Sequence, residues 1–148
     1  MDKDFKFILS SSATAKSLEW TEKEVAWEEF ATQLSKAMVT HETHGAFMSM
    51  AKEQQGRVKD VGAFVGGRLS GGRRRKNNLQ FRSLLSLDID FGNMDYANNM
   101  KELLGDTEFI IHGTHKHSED NPRFRLLAPM SRDLDATEYE AVARKIAE

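Results

Sequence analysis

The first half of the chain shows two different spacings of hydrophobic residues. Residues 5–10 alternate apolar and polar side chains, which predicts a short β-strand. Residues 21–38 carry apolar side chains at helical spacing behind a Thr-x-x-Glu capping box, which predicts a helix. Residues 47–54 predict a second helix. Residues 62–69 predict a strand whose glycines mark bends or close backbone contacts.

The second half of the chain is organised around one long strand. Residues 79–90 become apolar at nearly every position, as expected of a strand that is covered on both faces. A helix is predicted over residues 94–104 with Asn93 as its cap, followed by an apolar strand over residues 108–114. The order strand, helix, strand predicts a right-handed parallel βαβ unit.

The last elements complete an α/β prediction. Residues 123–129 predict a strand antiparallel to the preceding one, and residues 136–148 predict a helix opened by a capping box of Asp135 and Glu138. A length of 148 residues fits one domain. The expected fold is therefore a twisted mixed sheet, with central parallel strands and antiparallel additions, flanked by helices.

Composition narrows the class of protein. The chain has no cysteine, which excludes disulfides and thiolate metal sites and fits a cytoplasmic protein. No apolar run approaches the roughly 20 residues of a membrane helix, so no membrane partner is expected. The formal net charge of −2 gives no overall attraction to nucleic acid. Binding to nucleic acid would therefore need a local basic patch.

Two aspartates close the long apolar strand. Asp88 and Asp90 are two positions apart, so both carboxylates point to one side of the strand, with Cα atoms roughly 6.5–7 Å apart. A divalent cation such as Mg²⁺ or Mn²⁺ would remove their repulsion. The alternative is that they cap the next helix and face water. The Asp-x-Asp pattern alone leaves both interpretations open.

Histidines and arginines follow the next strand. His112, His115 and His117 raise the question of a zinc site, but a polar loop of solvated histidines is the preferred interpretation for the first two. Arg123 and Arg125 share one face of the last strand, and arginine forks suit phosphate oxygens. The alternative for these arginines is pairing with carboxylates of the protein itself.

A basic run lies between two glycines and the long strand. It comprises Arg73, Arg74, Arg75 and Lys76. Such a run either contacts the backbone phosphates of a nucleic acid or forms a solvated loop. No aromatic residue is interleaved with it, so base stacking is not indicated there.

Taken together, these segments resemble the archaeo-eukaryotic primase-polymerase domain of phage and mobile-element replication proteins. The resemblance covers residues 59–148 and is carried by "KDVGAFVGGRLSGGRRRKNNLQFRSLLSLDIDFG" and "HGTHKHSEDNPRFRLLAPMSRDLDATEYEAVARKIA". Asp88 and Asp90 match the two metal-binding aspartates of the family's first motif. His117 matches the phosphate-binding histidine of its second motif. His115 stands where the family usually has serine.

The resemblance implies roles for these residues. Asp88 and Asp90 would be catalytic and would hold Mg²⁺ or Mn²⁺. His117 would be catalytic and bind a nucleoside triphosphate together with Lys116, Arg123 and Arg125. The run from Arg73 to Lys76 would touch a single-stranded DNA template or primer.

The implied function is template-directed nucleotidyl transfer by a two-metal mechanism, that is, primer synthesis or DNA polymerisation. Some members of the family work beside a helicase. The family's third motif, an aspartate on a later strand, is expected beyond Glu148. Residues 1–148 are thus interpreted as the N-terminal part of a catalytic domain that is inactive alone.

Two other functions remain open at this point. One is a non-catalytic nucleic-acid-binding module. The other is a different Asp-x-Asp metal enzyme acting on phosphate esters or nucleotides. Gly92 argues against a phosphatase of the Asp-x-Asp-x-Thr type, which has another residue at that place.

Overall fold

The computed structural model describes residues 5–75 and 77–147, which form two sheets and five α-helices. In chain order the elements are β1 (Lys6–Ser12), β2 (Thr21–Ala26), α1 (Trp27–Leu34), α2 (His44–Ser49), α3 (Lys52–Val58), β3 (Ala63–Val65), β4 (Gly67–Leu69), a 3₁₀ turn (Ser70–Gly72), β5 (Leu79–Ile89), α4 (Tyr96–Leu104), β6 (Ile110–Gly113), β7 (Phe124–Leu134) and α5 (Ala136–Ala147).

The first sheet has the order β2-β1-β3, with both pairings antiparallel. The predicted strand at residues 5–10 is confirmed as part of β1. The predicted helix over residues 21–38 is wrong in its first part, because this stretch forms β2 and only α1 is helical. Val25 lies opposite Phe7 and is 3% exposed. Backbone pairing with β1 thus outweighs the helical spacing of the side chains.

Two short helices replace the single one predicted over residues 47–54. Met50 and Ala51 are extended and separate α2 from α3. The buried side chain of Gln55 donates hydrogen bonds from Nε2 to the carbonyl oxygens of Phe47, Met48 and Met50, at 3.2, 3.3 and 3.2 Å. These bonds satisfy carbonyl groups at the end of α2, which explains why the chain turns there.

Gly66 and Gly67 carry the chain from the first sheet to the second. The strand predicted over residues 62–69 is two strands, β3 and β4, in different sheets. A Cβ on Gly66 would overlap the Leu84 side chain, and one on Gly67, whose φ is +153°, would overlap the Phe81 carbonyl oxygen. The predicted close backbone contact at these glycines is confirmed.

The second sheet has the order β4-β5-β7-β6, and every pairing is antiparallel. Since β5 and β6 both run antiparallel to β7, they point in the same direction but do not pair. The α/β class is confirmed, as is the antiparallel pairing of residues 123–129 with the preceding strand. The predicted parallel pairing is not observed, because β7 returns between the two strands instead of adding at an edge.

The main hydrophobic core lies between the two sheets and α1. Its buried members are Phe7, Leu9, Val25, Trp27, Phe30, Leu84 and Leu127. Leu84 on β5 and Leu127 on β7 are fully buried. Because residues two apart on a strand share a face, the core face of β5 reaches Asp88 at its far end. The core face of β7 begins at Arg125.

The C-terminal helices show one local prediction confirmed and one corrected. Asp135 Oδ1 accepts from the Glu138 N–H at 2.9 Å, and Glu138 Oε2 accepts from the Asp135 N–H at 3.1 Å, so the capping box of α5 is confirmed. At α4 the residue before the helix is Asp95, not Asn93, whose carbonyl oxygen instead accepts the Tyr96 N–H in a turn.

Within residues 5–75 and 77–147, every helix is too short or too polar to cross a membrane.

Candidate functional site

The end of β5 and the start of β7 bring four of the predicted functional residues together, two aspartates and two arginines. Asp88 lies directly opposite Arg125 across the β5–β7 pair, and Arg125 lies opposite His112 on β6. Asp88, Arg125 and His112 therefore form one row across three strands. Asp90 and Arg123 stand at the adjoining strand ends.

The two aspartates and the two arginines are paired with each other. Arg125 holds Asp88 in a bidentate contact, with Nε–Oδ1 at 2.5 Å and Nη2–Oδ2 at 3.1 Å. Arg123 Nη1 donates to Asp90 Oδ1 at 3.0 Å. The interpretation that the arginines pair with the protein's own acids is confirmed for this state of the molecule, and the register of β5 on β7 produces it.

These ion pairs lie at the surface. The side chains of Asp88 and Asp90 are 57% and 60% exposed, and those of Arg125 and Arg123 are 36% and 26% exposed. Exposed ion pairs contribute about 0–1 kcal/mol each. The buried Nε of Arg123 has no hydrogen-bond partner in the described part of the chain. The pairs can therefore be exchanged for other partners at little cost.

His117 is held beside Arg123 by the loop that joins β6 to β7. Its Nδ1 accepts a hydrogen bond from the Arg123 backbone N–H at 3.1 Å. The centre of its ring lies 4.9 Å from the centre of the Phe124 ring. Gly113 leaves room for the ring, because a Cβ there would lie 3.2 Å from the His117 Cγ. In the neutral ring the proton is then on Nε2, which remains a donor. Lys116 precedes it in the same loop and is partly buried.

His112 and His115 have structural contacts instead of the predicted solvation. His115 Nε2 lies 3.1 Å from the Thr40 hydroxyl oxygen. The centre of the His115 ring lies 4.2 Å from the centre of the Phe47 ring. His112 Nδ1 lies 3.1 Å from the carbonyl oxygen of Gly113. Among residues 5–75 and 77–147, no group of three or more histidine or carboxylate side chains is placed to hold a metal ion. The two aspartates thus stand as a pair of potential ligands.

The basic loop lies at the other end of β5. Arg73, Arg74 and Arg75 are exposed and precede the first residue of that strand, whereas Lys76 lies outside the described residues. Ten residue steps of about 3.3 Å separate the two ends of β5, which is roughly 30 Å. The structure therefore does not bring the predicted nucleic-acid contacts and the charged strand end into one site.

Phe91 is a candidate that the sequence interpretation missed. It follows Asp90 directly, and its side chain is 95% exposed. A single exposed apolar side chain is common on protein surfaces, so it is the position next to Asp90 that makes Phe91 a candidate. The available signal was the phenylalanine between the second aspartate and Gly92.

The family model described as the VapE N-terminal domain covers residues 1–148. No curated protein and no solved structure matches the chain.

Proposed function

Because the chain belongs to the VapE N-terminal domain family, a family of phage and mobile-element replication proteins, we propose that it takes part in template-directed nucleotidyl transfer. In this proposal the charged strand end binds a nucleoside triphosphate, and the reaction makes primers or extends DNA. The primase-polymerase resemblance of the two segments that contain Asp88 and His117 supports it.

One observation carries the proposal: two carboxylates, two guanidinium groups and an imidazole share one exposed strand end. A nucleoside triphosphate arrives with a divalent cation and several anionic oxygens. The arginines would then exchange their carboxylate partners for phosphate oxygens, to which they bind equally well in bidentate geometry. The exchange leaves Asp88 and Asp90 free for the cation.

The donor set fits a hard divalent cation that is shared with the nucleotide. Asp88 and Asp90 would hold Mg²⁺ or Mn²⁺, since both side chains are more than half exposed and supply carboxylate oxygens. When bound, such ions activate the attacking hydroxyl and stabilise the displacement. The phosphates and water would supply further ligands. The third carboxylate of the resembled family would come from outside residues 1–148.

The remaining side chains position the triphosphate. Arg123 and Arg125 would neutralise its charge, and Nε2–H of His117 would donate to a phosphate oxygen, because Nδ1 is already occupied by the Arg123 N–H. Lys116 would add a further positive charge from the same loop. The β5–β7 register thus places groups that would bind phosphate beside groups that would bind a cation.

Nucleotide binding by the Asp88→Asn/Asp90→Asn variant should change in opposite directions with and without metal. In Mn²⁺ we expect it to bind a nucleoside triphosphate at least about tenfold more weakly than wild type, because the cation loses both carboxylates. In EDTA we expect it to bind more tightly, because Arg123 and Arg125 lose their competing partners. Isothermal titration calorimetry measures both affinities.

Asp106→Asn is the matched control for that experiment. Asp106 is exposed, follows α4 and takes no part in the ion pairs of Asp88 and Asp90. It should leave the affinity in Mn²⁺ unchanged within about twofold, since Asp106 is not among the proposed ligands and an exposed charge is screened by salt. If the double variant instead binds the nucleotide in Mn²⁺ as well as wild type, the aspartates only neutralise the arginines and the proposal is wrong.

Phe91→Ala should weaken nucleotide or single-stranded DNA binding without changing stability. Base stacking on an aromatic side chain contributes about 1–3 kcal/mol, which corresponds to at least about fivefold in affinity. Because Phe91 is 95% exposed, its loss leaves no cavity and the melting temperature should not change. Phe91→Trp should restore binding. Fluorescence anisotropy with a labelled nucleotide and with a labelled oligonucleotide checks this, and equal affinity of the alanine variant and wild type for both would remove Phe91 from the site.

A further inference from the structure

A pocket lies at the end of β5 opposite the aspartates. Its volume is about 410 Å³. Three apolar side chains, Val65, Leu69 and Leu79, and three arginines, Arg74, Arg75 and Arg82, line it. We call this the arginine pocket. It contains none of the residues assigned above to the nucleotide.

The basic loop that supplies two of these arginines is fixed at several points. The Asn78 side chain donates a hydrogen bond to the Arg73 carbonyl oxygen at 3.1 Å. The Asn78 backbone N–H donates to the Arg75 carbonyl oxygen at 3.0 Å. The Trp20 N–H donates to the Gly72 carbonyl oxygen at 2.9 Å. The guanidinium of Arg74 lies 5.7 Å from the centre of the Trp20 ring. The backbone of the loop is therefore held in place, while the side chains of Arg73, Arg74 and Arg75 remain exposed.

The arginine pocket carries positive charge that the described part of the chain does not neutralise. Arg68 is paired with Glu22 and Arg132 with Glu138, but none of the three pocket arginines has a carboxylate within ion-pair distance among residues 5–75 and 77–147. Arg82 lies over the Tyr139 ring at 4.9 Å, and its buried Nε has no hydrogen-bond partner there. An anion bound in the pocket would supply these arginines with the charged partner that they lack, in charge-assisted hydrogen bonds.

We propose that the arginine pocket binds a phosphate group of single-stranded nucleic acid, with the attached sugar or base against the apolar floor. Single-strand sites combine cations that follow the backbone with apolar or aromatic surfaces for the bases. The arginine pocket has both parts and is larger than a phosphate alone requires. The inference extends the proposed function to its nucleic-acid partner, and it requires only binding and no catalysis.

The test measures the anisotropy of a fluorescein-labelled oligothymidylate in EDTA, where no metal-dependent step occurs. Arg82→Gln and the Arg74→Gln/Arg75→Gln variant should each weaken binding about tenfold, the effect of losing a charge-assisted hydrogen bond. The slope of log affinity against log salt should fall by about 0.7 for each phosphate that the variant leaves without its arginine. Arg82→Lys should retain part of the affinity, because the charge remains.

Arg57→Gln is the matched control. It removes the same charge from an exposed side chain on α3, so it should leave the affinity within about twofold of wild type. If Arg82→Gln destabilises the fold, the double variant in the exposed loop carries the test. Equal affinity of the pocket variants and Arg57→Gln would overturn the inference.

Competition identifies the source of the phosphate. A 5′-phosphorylated and a 5′-hydroxyl oligonucleotide of equal length should bind alike if the pocket takes an internal phosphodiester. If wild type binds the 5′-phosphorylated oligonucleotide more tightly and Arg82→Gln loses this difference, the pocket binds the 5′ end of a nucleic-acid strand. That result would still support the inference. Displacement of DNA by an acidic peptide of equal charge, at equal concentration, would show a protein-binding surface and overturn it. Since the assay contains EDTA, its failure would leave the nucleotide proposal untouched.

Discussion

Gly67→Ala is expected to prevent residues 1–148 from folding. Gly67 has a φ of +153°, a conformation that L-residues other than glycine rarely adopt, and an added Cβ would overlap the Phe81 carbonyl oxygen. The obstacle is backbone of the paired strand β5, so it can yield only if β4 moves away. The cost should exceed about 4–5 kcal/mol, a large part of the stability of an ordinary domain.

Gly56→Ala tests whether the effect is specific to the junction. Gly56 lies inside α3, and an added Cβ would meet no atom within 4 Å. This variant should be more stable than wild type by about 1 kcal/mol, because alanine is the better helix former. Circular dichroism and urea titration distinguish the two outcomes. A Gly67→Ala protein with the wild-type spectrum and urea midpoint would mean that β4 does not pair with β5 as described.

Local signals in the sequence predicted the elements that depend on local interactions. The apolar run of β5 and the Asp135–Glu138 capping box of α5 are both found where the sequence put them. In the capping box, neighbours within a few residues decide the conformation, and in β5 the apolar run itself indicates a strand that pairs on both sides. Gly66 and Gly67 are also of this kind, since their close backbone contacts were predicted from glycine alone.

Non-local pairing explains the errors. Residues 21–26 have apolar spacing that suits a helix, yet they form β2 because β1 offers a partner for the whole stretch from Thr21 to Ala26. The parallel pairing of β5 and β6 failed for a similar reason. The short loop from Thr114 to Arg123 returns β7 next to β6, and the long apolar face of β7 is then buried beside β5. Neither choice is visible in the segment concerned.

The composition of the charged site was predictable, but its pairing was not. Residue spacing placed Asp88 with Asp90 and Arg123 with Arg125, each pair on one strand face. That Asp88 faces Arg125 depends on the register between β5 and β7, which no local pattern specifies. The same limit applies to Arg82, which joins the basic loop only because β4 and β5 form one wall of the arginine pocket.

Residues 1–148 alone are expected to bind a nucleotide but not to extend a primer. Two carboxylates that lie two positions apart at the end of one strand approach a cation from one side, whereas two-metal catalysis holds two ions about 3.5–4 Å apart. A longer protein that continues in the same reading frame and adds a carboxylate-bearing strand should extend a labelled primer in Mg²⁺ or Mn²⁺. Robust metal-dependent synthesis by residues 1–148, free of contaminating polymerase, would contradict the assignment of a third carboxylate elsewhere.

In that longer protein, Asp90→Ala should reduce primer extension by more than about a hundredfold. Replacing a residue that merely supports a metal ligand typically lowers metal affinity or activity 10–100-fold. Replacing a ligand itself should therefore lower the activity further. The measurement is the rate of incorporation of labelled nucleotide on a primed template. Asp106→Asn serves again as the control and should keep the wild-type rate within about twofold, because its carboxylate takes no part in the ion pairs.

Loss of activity in Asp90→Ala would not by itself identify a metal ligand, because the substitution also leaves Arg123 without its partner. The Asp90→Asn/Arg123→Gln variant separates the two roles. If Asp90 acts only by neutralising Arg123, removal of both charges eliminates the unpaired guanidinium and should restore much of the rate. If Asp90 holds a cation, the double variant should be at least as inactive as Asp90→Asn, since it lacks a cation ligand and a phosphate ligand together. Recovery of the rate in the double variant would therefore contradict the proposed chemistry even though the single variant agrees with it.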